Sequence, residues 1–224
     1  MTRYALTLFA VSAFAQPERF DLIVREDLFA GYLSDDMERF NKGLKVCDDR
    51  LAANPKDVAP LAWRGSATTY LAIREYEAGN RAAGDKLWNQ AGRMFDQAYA
   101  LGGPDNVGVL ATWGGTLVVF MRRAPADRVP AMLAQALKSY EAIQRVQAPM
   151  LEKMGVHHRG EVWGGLADIH QRLGETEKSR AYLRKIVEKM DGTPYAKKAA
   201  AWLADPAAIQ PRDAMTCLSC HVMK

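Results

Sequence analysis

Trp163-Gly164-Gly165-Leu166-Ala167-Asp168-Ile169-His170 is the stretch from which the fold of this chain can be read. Trp163, Leu166, Ala167 and His170 recur at intervals of three and four, the spacing of one helix face. The helix is expected over His158–Leu173, and Gly174 separates it from a second over Thr176–Met190 that carries Ser179, Leu183 and Ile186. Small residues on facing helices let the two backbones approach closely, and an aromatic side chain fills the gap they leave. Working outward, the same periodicity covers the rest of the chain. Phe20, Ile23, Val24 and Leu28 predict a helix over Phe20–Leu33. Asp35 followed by Glu38 predicts a capped start for the next, which ends at Ala53 before Asn54-Pro55. Further helices are expected over Val58–Tyr76, Asn80–Leu101, Val107–Arg122 and Arg128–Gln147, with Gly79 and Gly102-Gly103-Pro104 as breaks. Thr193-Pro194, a capping residue followed by proline in the first turn, opens a last helix to Leu203. No strand-like run intervenes. Eight helices in pairs, followed by a short one, predict an all-α fold of antiparallel hairpins stacked in series.

The pattern Trp163-x2-Leu166-Ala167-x2-His170, with Gly174, Ser179, Leu183 and Ile186 after it, resembles the tetratricopeptide repeat. His170 stands where that family prefers Tyr, and Ile186 where it prefers a small residue. Looser copies precede it. Gly31, Gly43 and Pro55 match the family's small and breaking positions, and Gly65 follows Gly31 by 34 residues, the family's period. Ala91, Phe95 and Ala98 keep the small–aromatic–small order after an insertion around Gly79–Trp88, and Leu110, Trp113 and Gly114 begin a third unit. The resemblance spans about Val24–Met190. It implies a solenoid of helix hairpins closed by a capping helix, here with Tyr195, Ala199 and Trp202 inside and Lys197 and Lys198 outside. It also implies a concave face, made by the first helix of each pair, on which members bind peptides or partner proteins. Ala59, Ala62, Ser66 and Thr69 would lie on that face, as would Glu161, Asp168 and Gln171. No charge clamp among them names a ligand.

The carboxyl end carries a different signal. Cys217-Leu218-Ser219-Cys220-His221 has the C-x-x-C-H spacing of c-type haem attachment. Two thiols three positions apart share one side of a helical turn and can form thioethers with the haem vinyl groups. The adjacent imidazole then supplies the proximal ligand to iron. Three rival readings stand beside one covalent haem c. A thioredoxin-type redox pair belongs in a βαβ setting that is missing here. A structural zinc site needs four ligands, and Cys47 with three scattered histidines is a poor remainder. A haem-free Cys217–Cys220 disulfide is the third. Met1-Thr2-Arg3, the apolar run Tyr4–Val11 and the A-x-A signal Ala13-Phe14-Ala15 read as a secretory signal peptide. Attachment of this type occurs outside the bacterial cytoplasmic membrane, so the two ends support each other and point to a periplasmic or otherwise exported protein. The expected division is residues 1–15 signal peptide, 16–204 tetratricopeptide-like domain, and 205–224 linker and haem-attachment tail.

Composition narrows the partners. A net charge of +4, without a dense Lys/Arg cluster, leaves no footprint for nucleic acid. Val107–Met121, the longest apolar run after the leader, holds Gly108, Gly114 and Gly115 and is too short to span a bilayer, so no membrane span is expected in the mature chain. The tail is too short to wrap a haem in helices of its own, so the haem must be buried against the repeat array or another protein. Met223 lies too close to His221 to reach the opposite face of the ring. For the sixth iron position His157 or His158 are the candidates, in a loop-like stretch, beside an open site that would admit a small ligand. His170 is expected to be a packed substitute for the repeat Tyr. Met94, Met132 and Met190 are expected as core filler, and Cys47 as a buried thiol. Two main readings result: a monohaem electron carrier docked on a redox partner protein or a membrane-associated electron-transfer complex, or a periplasmic scaffold without redox role. Both are non-enzymatic readings; a haem enzyme or small-ligand binder with an open iron site is a weaker third.

Overall fold

The computed structural model describes residues 19–206 and 214–216. The expected signal peptide, most of the linker, and Cys217, Cys220 and His221 lie outside these described residues. Among them the chain forms nine α-helices: α1 (Phe20–Ser34), α2 (Met37–Ala53), α3 (Val58–Glu77), α4 (Arg81–Gly102), α5 (Val107–Phe120), α6 (Val129–Gln147), α7 (Val156–Arg172), α8 (Thr176–Lys189) and α9 (Pro194–Ala204). A 3-10 turn, Leu151–Lys153, separates α6 from α7. No strand occurs among the described residues. Each odd helix packs on the even helix after it, and α1, α3, α5 and α7 pack on one another in series, with α9 against α7 and α8. The protein is therefore an all-α stack of antiparallel helix hairpins, as the periodicity predicts.

The contacts that hold each pair are of the small–aromatic kind; Phe95 and Tyr195 are the expected rings, and Phe40 and Tyr140 are found only in the structure. Phe40 of α2 lies against Gly31 of α1, where an added Cβ would meet its ring at 2.8 Å. Phe95 of α4 covers Gly65 of α3 at 3.2 Å, and stacks on Trp113 of the next pair with centroids 5.1 Å apart. Tyr140 of α6 is wedged against both Gly114 of α5 and Gly165 of α7, so one ring joins two hairpins. Tyr195 of α9 closes the series on Gly160 of α7. These rings are almost fully buried. Burying each one removes a large apolar surface from water, which drives the stacking more than any helix propensity does.

Two helix starts differ from expectation. Asp35 does not cap α2; it takes the left-handed conformation (φ 54°) that terminates α1, its N–H bonding back to the Gly31 carbonyl while the Asp36 N–H bonds to that of Ala30. Asp36 does the capping instead, accepting from the Arg39 N–H at 3.1 Å. Asp and Asn tolerate the left-handed region better than other side-chain-bearing residues, so adjacent aspartates divide the two tasks. Further on, α7 begins at Val156, so His157 and His158 sit in its first turn and not in a loop. Thr193 caps α9 as predicted, accepting from Ala196 N–H at 3.2 Å.

Substituting Gly165 by Val would drive a methyl-bearing carbon into the Tyr140 ring, which is held on its other side by Gly114. The expected loss is about 1–3 kcal/mol, measured by urea unfolding.

Candidate functional site

The odd helices line a concave groove of about 780 Å3. Its walls are mainly apolar and aromatic: Phe29 of α1, Trp63 of α3, and Val119 and Phe120 of α5. Ala59, Ala62, Gly108 and Gly115 keep the helices bare enough for the groove to exist. Across its floor runs a buried line of hydroxyls. Tyr32 Oη lies 2.9 Å from Ser66 Oγ, and Thr116 donates to the same Ser66 oxygen at 2.7 Å. α1, α3 and α5 are thus pinned together at one level by side chains that each satisfy another.

The two ends of the groove differ in chemistry. At the α1 end stand Arg19 and Arg25, engaged with Asp21 at 2.7 Å and Glu26 at 3.3 Å. At the α7 end stand His157, His158 and Glu161. The two imidazoles are exposed, with ring centroids 5.8 Å apart. Tyr195 reaches this end from α9: its hydroxyl donates to Glu161 Oε1 at 2.5 Å and lies 3.5 Å from His157 Nδ1. Both candidate histidines therefore belong to one ligand-sized cavity, within the range typical of small-molecule sites.

Next along α7 comes a buried charge. Asp168 is fully buried and held between two guanidinium groups, Arg122 at 3.1 Å and Arg172 at 2.6 Å. It also accepts the backbone N–H of Met215 at 3.4 Å. Lys198 donates to the Ala214 carbonyl at 2.7 Å, and Met215 rests on Gly164, where a Cβ would meet the Met215 carbonyl oxygen at 2.7 Å. Ala214, Met215 and Thr216 are wholly buried. The last described residues before Cys217 are consequently clamped on α7, three residues from Glu161.

These positions correct several expectations. Ala59, Ala62, Ser66 and Glu161 do line the concave groove, but Thr69 is buried with its hydroxyl donating to Gly65 O at 3.0 Å. Asp168 does not face an open concave surface, because the tail and two arginines cover it. Lys198 is not simply outside; it holds the tail's backbone. His170 is packed as expected, stacked on Tyr182 at 5.8 Å and 2.5 Å from Glu175. Met132 and Met190 fill core positions. Cys47 is fully buried, and burial pushes its thiol up to about 12. Sequence reasoning missed the Arg122–Asp168–Arg172 clamp and the hydroxyl line. The one legible trace of the latter was the 34-residue spacing of Tyr32 and Ser66, which repeats that of Gly31 and Gly65.

Comparison with protein-family models, with curated proteins and with solved structures finds no match to this chain. Among the described residues no group of three or more His, Cys, Asp or Glu is placed to hold a metal ion, and no helix is long and apolar enough to cross a membrane.

Replacing Asp168 by Ala leaves two arginines without their buried carboxylate, so a loss of about 3–5 kcal/mol is expected in urea unfolding. Since the raised Cys47 titration keeps its thiol neutral, iodoacetamide at pH 8 should alkylate Cys47 only after unfolding, as read by peptide mass.

Proposed function

We propose that this chain is an exported c-type haem protein, a monohaem electron carrier or subunit, whose tetratricopeptide-like hairpins dock it on a redox partner. The pentad Cys217-Leu218-Ser219-Cys220-His221 carries the reading, because its thiols and imidazole stand at the spacing that covalent haem attachment requires. What supports it further is that Met215, two residues before it, rests on Gly164 and Asp168 of α7, the helix whose first turn supplies imidazoles to one end of a mainly apolar groove with guanidinium groups at its other end. A flat macrocycle with two carboxylates and a metal centre finds matching surfaces there, so the residues present fit the group. Cys217 and Cys220 would hold haem c and His221 would ligate its iron, with His157 or His158 as a candidate second ligand. The haem would supply a one-electron couple, taken from a reduced protein partner and passed to an oxidised one. The chain's own contribution is to fix the attachment site, limit water around it and present a docking surface.

The concave groove favours a second reading, a scaffold that receives a peptide or protein segment between its odd helices. The two separate on one experiment. The full chain, produced in a host with c-type maturation, is run on a denaturing gel and stained for covalent haem; a stained band is expected, and a colourless band leaves only the scaffold. In the stained protein, either His157→Ala or His158→Ala should change the spectrum of the reduced haem and open it to carbon monoxide. Spectra unchanged in both variants would remove both histidines as ligands.

A further inference from the structure

We infer that the concave groove is the receptacle for this chain's own carboxyl-terminal segment, Cys217–Lys224, with its linked haem. The proposal rests on the haem reading above and adds to it a place: the cofactor is buried within the same chain and not against another protein.

The direction of the tail carries the argument. Met215 presents its N–H to Asp168 and its carbonyl to Gly164, so the backbone crosses α7 from the later residue to the earlier one. It travels antiparallel to α7, towards Glu161 and His157, which form the end wall of the groove. Gly164 stands seven residues beyond His157, a rise of about 10.5 Å along the helix. Met215 already rests on Gly164, about one turn of α7 from Glu161, so a helical turn begun at Cys217 would start beside that wall. The Met215 bond to Asp168 and the Lys198 bond to Ala214 fix the point of departure.

The groove's polarity matches the cargo. The vinyl edge of a haem, where thioethers form, lies opposite the edge bearing its two carboxylates. Cysteines arriving at the α7 end would set the vinyl edge there and turn the carboxylates toward Arg19 and Arg25 at the α1 end. Between them, Phe29, Trp63 and Phe120 offer ring faces and edges to the macrocycle. A cavity of about 780 Å3 is large enough to enclose a haem.

The test uses the full chain loaded with haem and a wedge, Ala111→Trp, at an exposed position of the groove wall on α5. Staining of the wild-type band judges the haem reading by itself, since a colourless band rejects that reading whatever the groove does. In a stained protein the wedge should keep the covalent haem but lower its reduction potential, because greater exposure to water favours the ferric charge. Ala83→Trp, exposed on α4 away from the groove, should leave the potential unchanged. Equal potentials in wild type and Ala111→Trp overturn the proposal. Should the wedge fail to fold, radiolytic side-chain labelling decides on unaltered groove walls. Trp63 and Met154 should label several-fold less in the haem-loaded chain than in Cys217→Ser/Cys220→Ser, with exposed Met150 equal in both. Equal labelling of Trp63 and Met154 overturns the proposal, as does protection lost on dilution, which assigns the groove to a second copy.

Discussion

Close approach of paired helices at glycine, under an aromatic ring from the partner helix, is the constraint on which everything else in this protein depends. Phe40 on Gly31, Phe95 on Gly65 and Tyr140 between Gly114 and Gly165 set the distance within and between hairpins. A Cβ at Gly31 or Gly165 would collide with a buried ring, and one at Gly65 or Gly114 would press on its partner at 3.0–3.2 Å. With that distance set, the odd helices fall side by side on one surface, where short residues such as Ala59, Ala62 and Gly115 leave a hollow. The groove is therefore a by-product of how the pairs are packed, and its shape is as rigid as the core beneath it.

Charge is used sparingly and in one place deeply. Most ion pairs of the chain are solvent-exposed and contribute little each. The Arg122–Asp168–Arg172 cluster is different, because its carboxylate has no access to water. A buried pair of this kind costs desolvation and gains most as a specifier of one arrangement. Here the arrangement specified includes Met215 and, through Lys198, Ala214. Arg123 beside it serves the neighbouring layer, pairing with Glu77 at 2.7 Å, so the two consecutive arginines after α5 tie the third hairpin both forwards and backwards.

The helices and their pairing were legible in the amino-acid pattern because burial of an apolar face at a period of 3.6 is a local signal. Capped or proline-led starts such as Thr193-Pro194 were equally plain. Asp35 and Asp36 were not, since two adjacent aspartates satisfy the same rule and only the path of the chain out of α1 decides between them. The concave placement of Ala59, Ala62, Ser66 and Glu161 followed from the repeat resemblance and is borne out. Asp168 was placed by the same logic and lies buried, because a segment 47 residues further on folds back over it. Long-range covering of this kind has no periodicity and leaves no mark in a window of sequence. The positions of Cys217, Cys220 and His221 fall outside the described residues, so the attachment motif stands on its spacing.

A carrier of electrons has to hold its cofactor away from bulk water and yet within reach of a partner. A solenoid meets both demands differently from a closed globule, because its concave face is enclosed on three sides by helices and open on the fourth. Groove-lining residues at the rim, Leu22 among them at 53% exposure, stay accessible at the mouth while Tyr32, Ser66 and Thr116 seal the floor. A group seated between them would present one edge outward and keep the other in a low-dielectric wall, where the field of each fixed dipole is least screened. Attachment by a short carboxyl-terminal tail suits that geometry, since the tail needs only to deliver the group to a cavity the hairpins have already built. On the proposed reading, the repeat array would serve as the haem's fold, and the motif would dispense with the helices that a free-standing cytochrome domain has to supply.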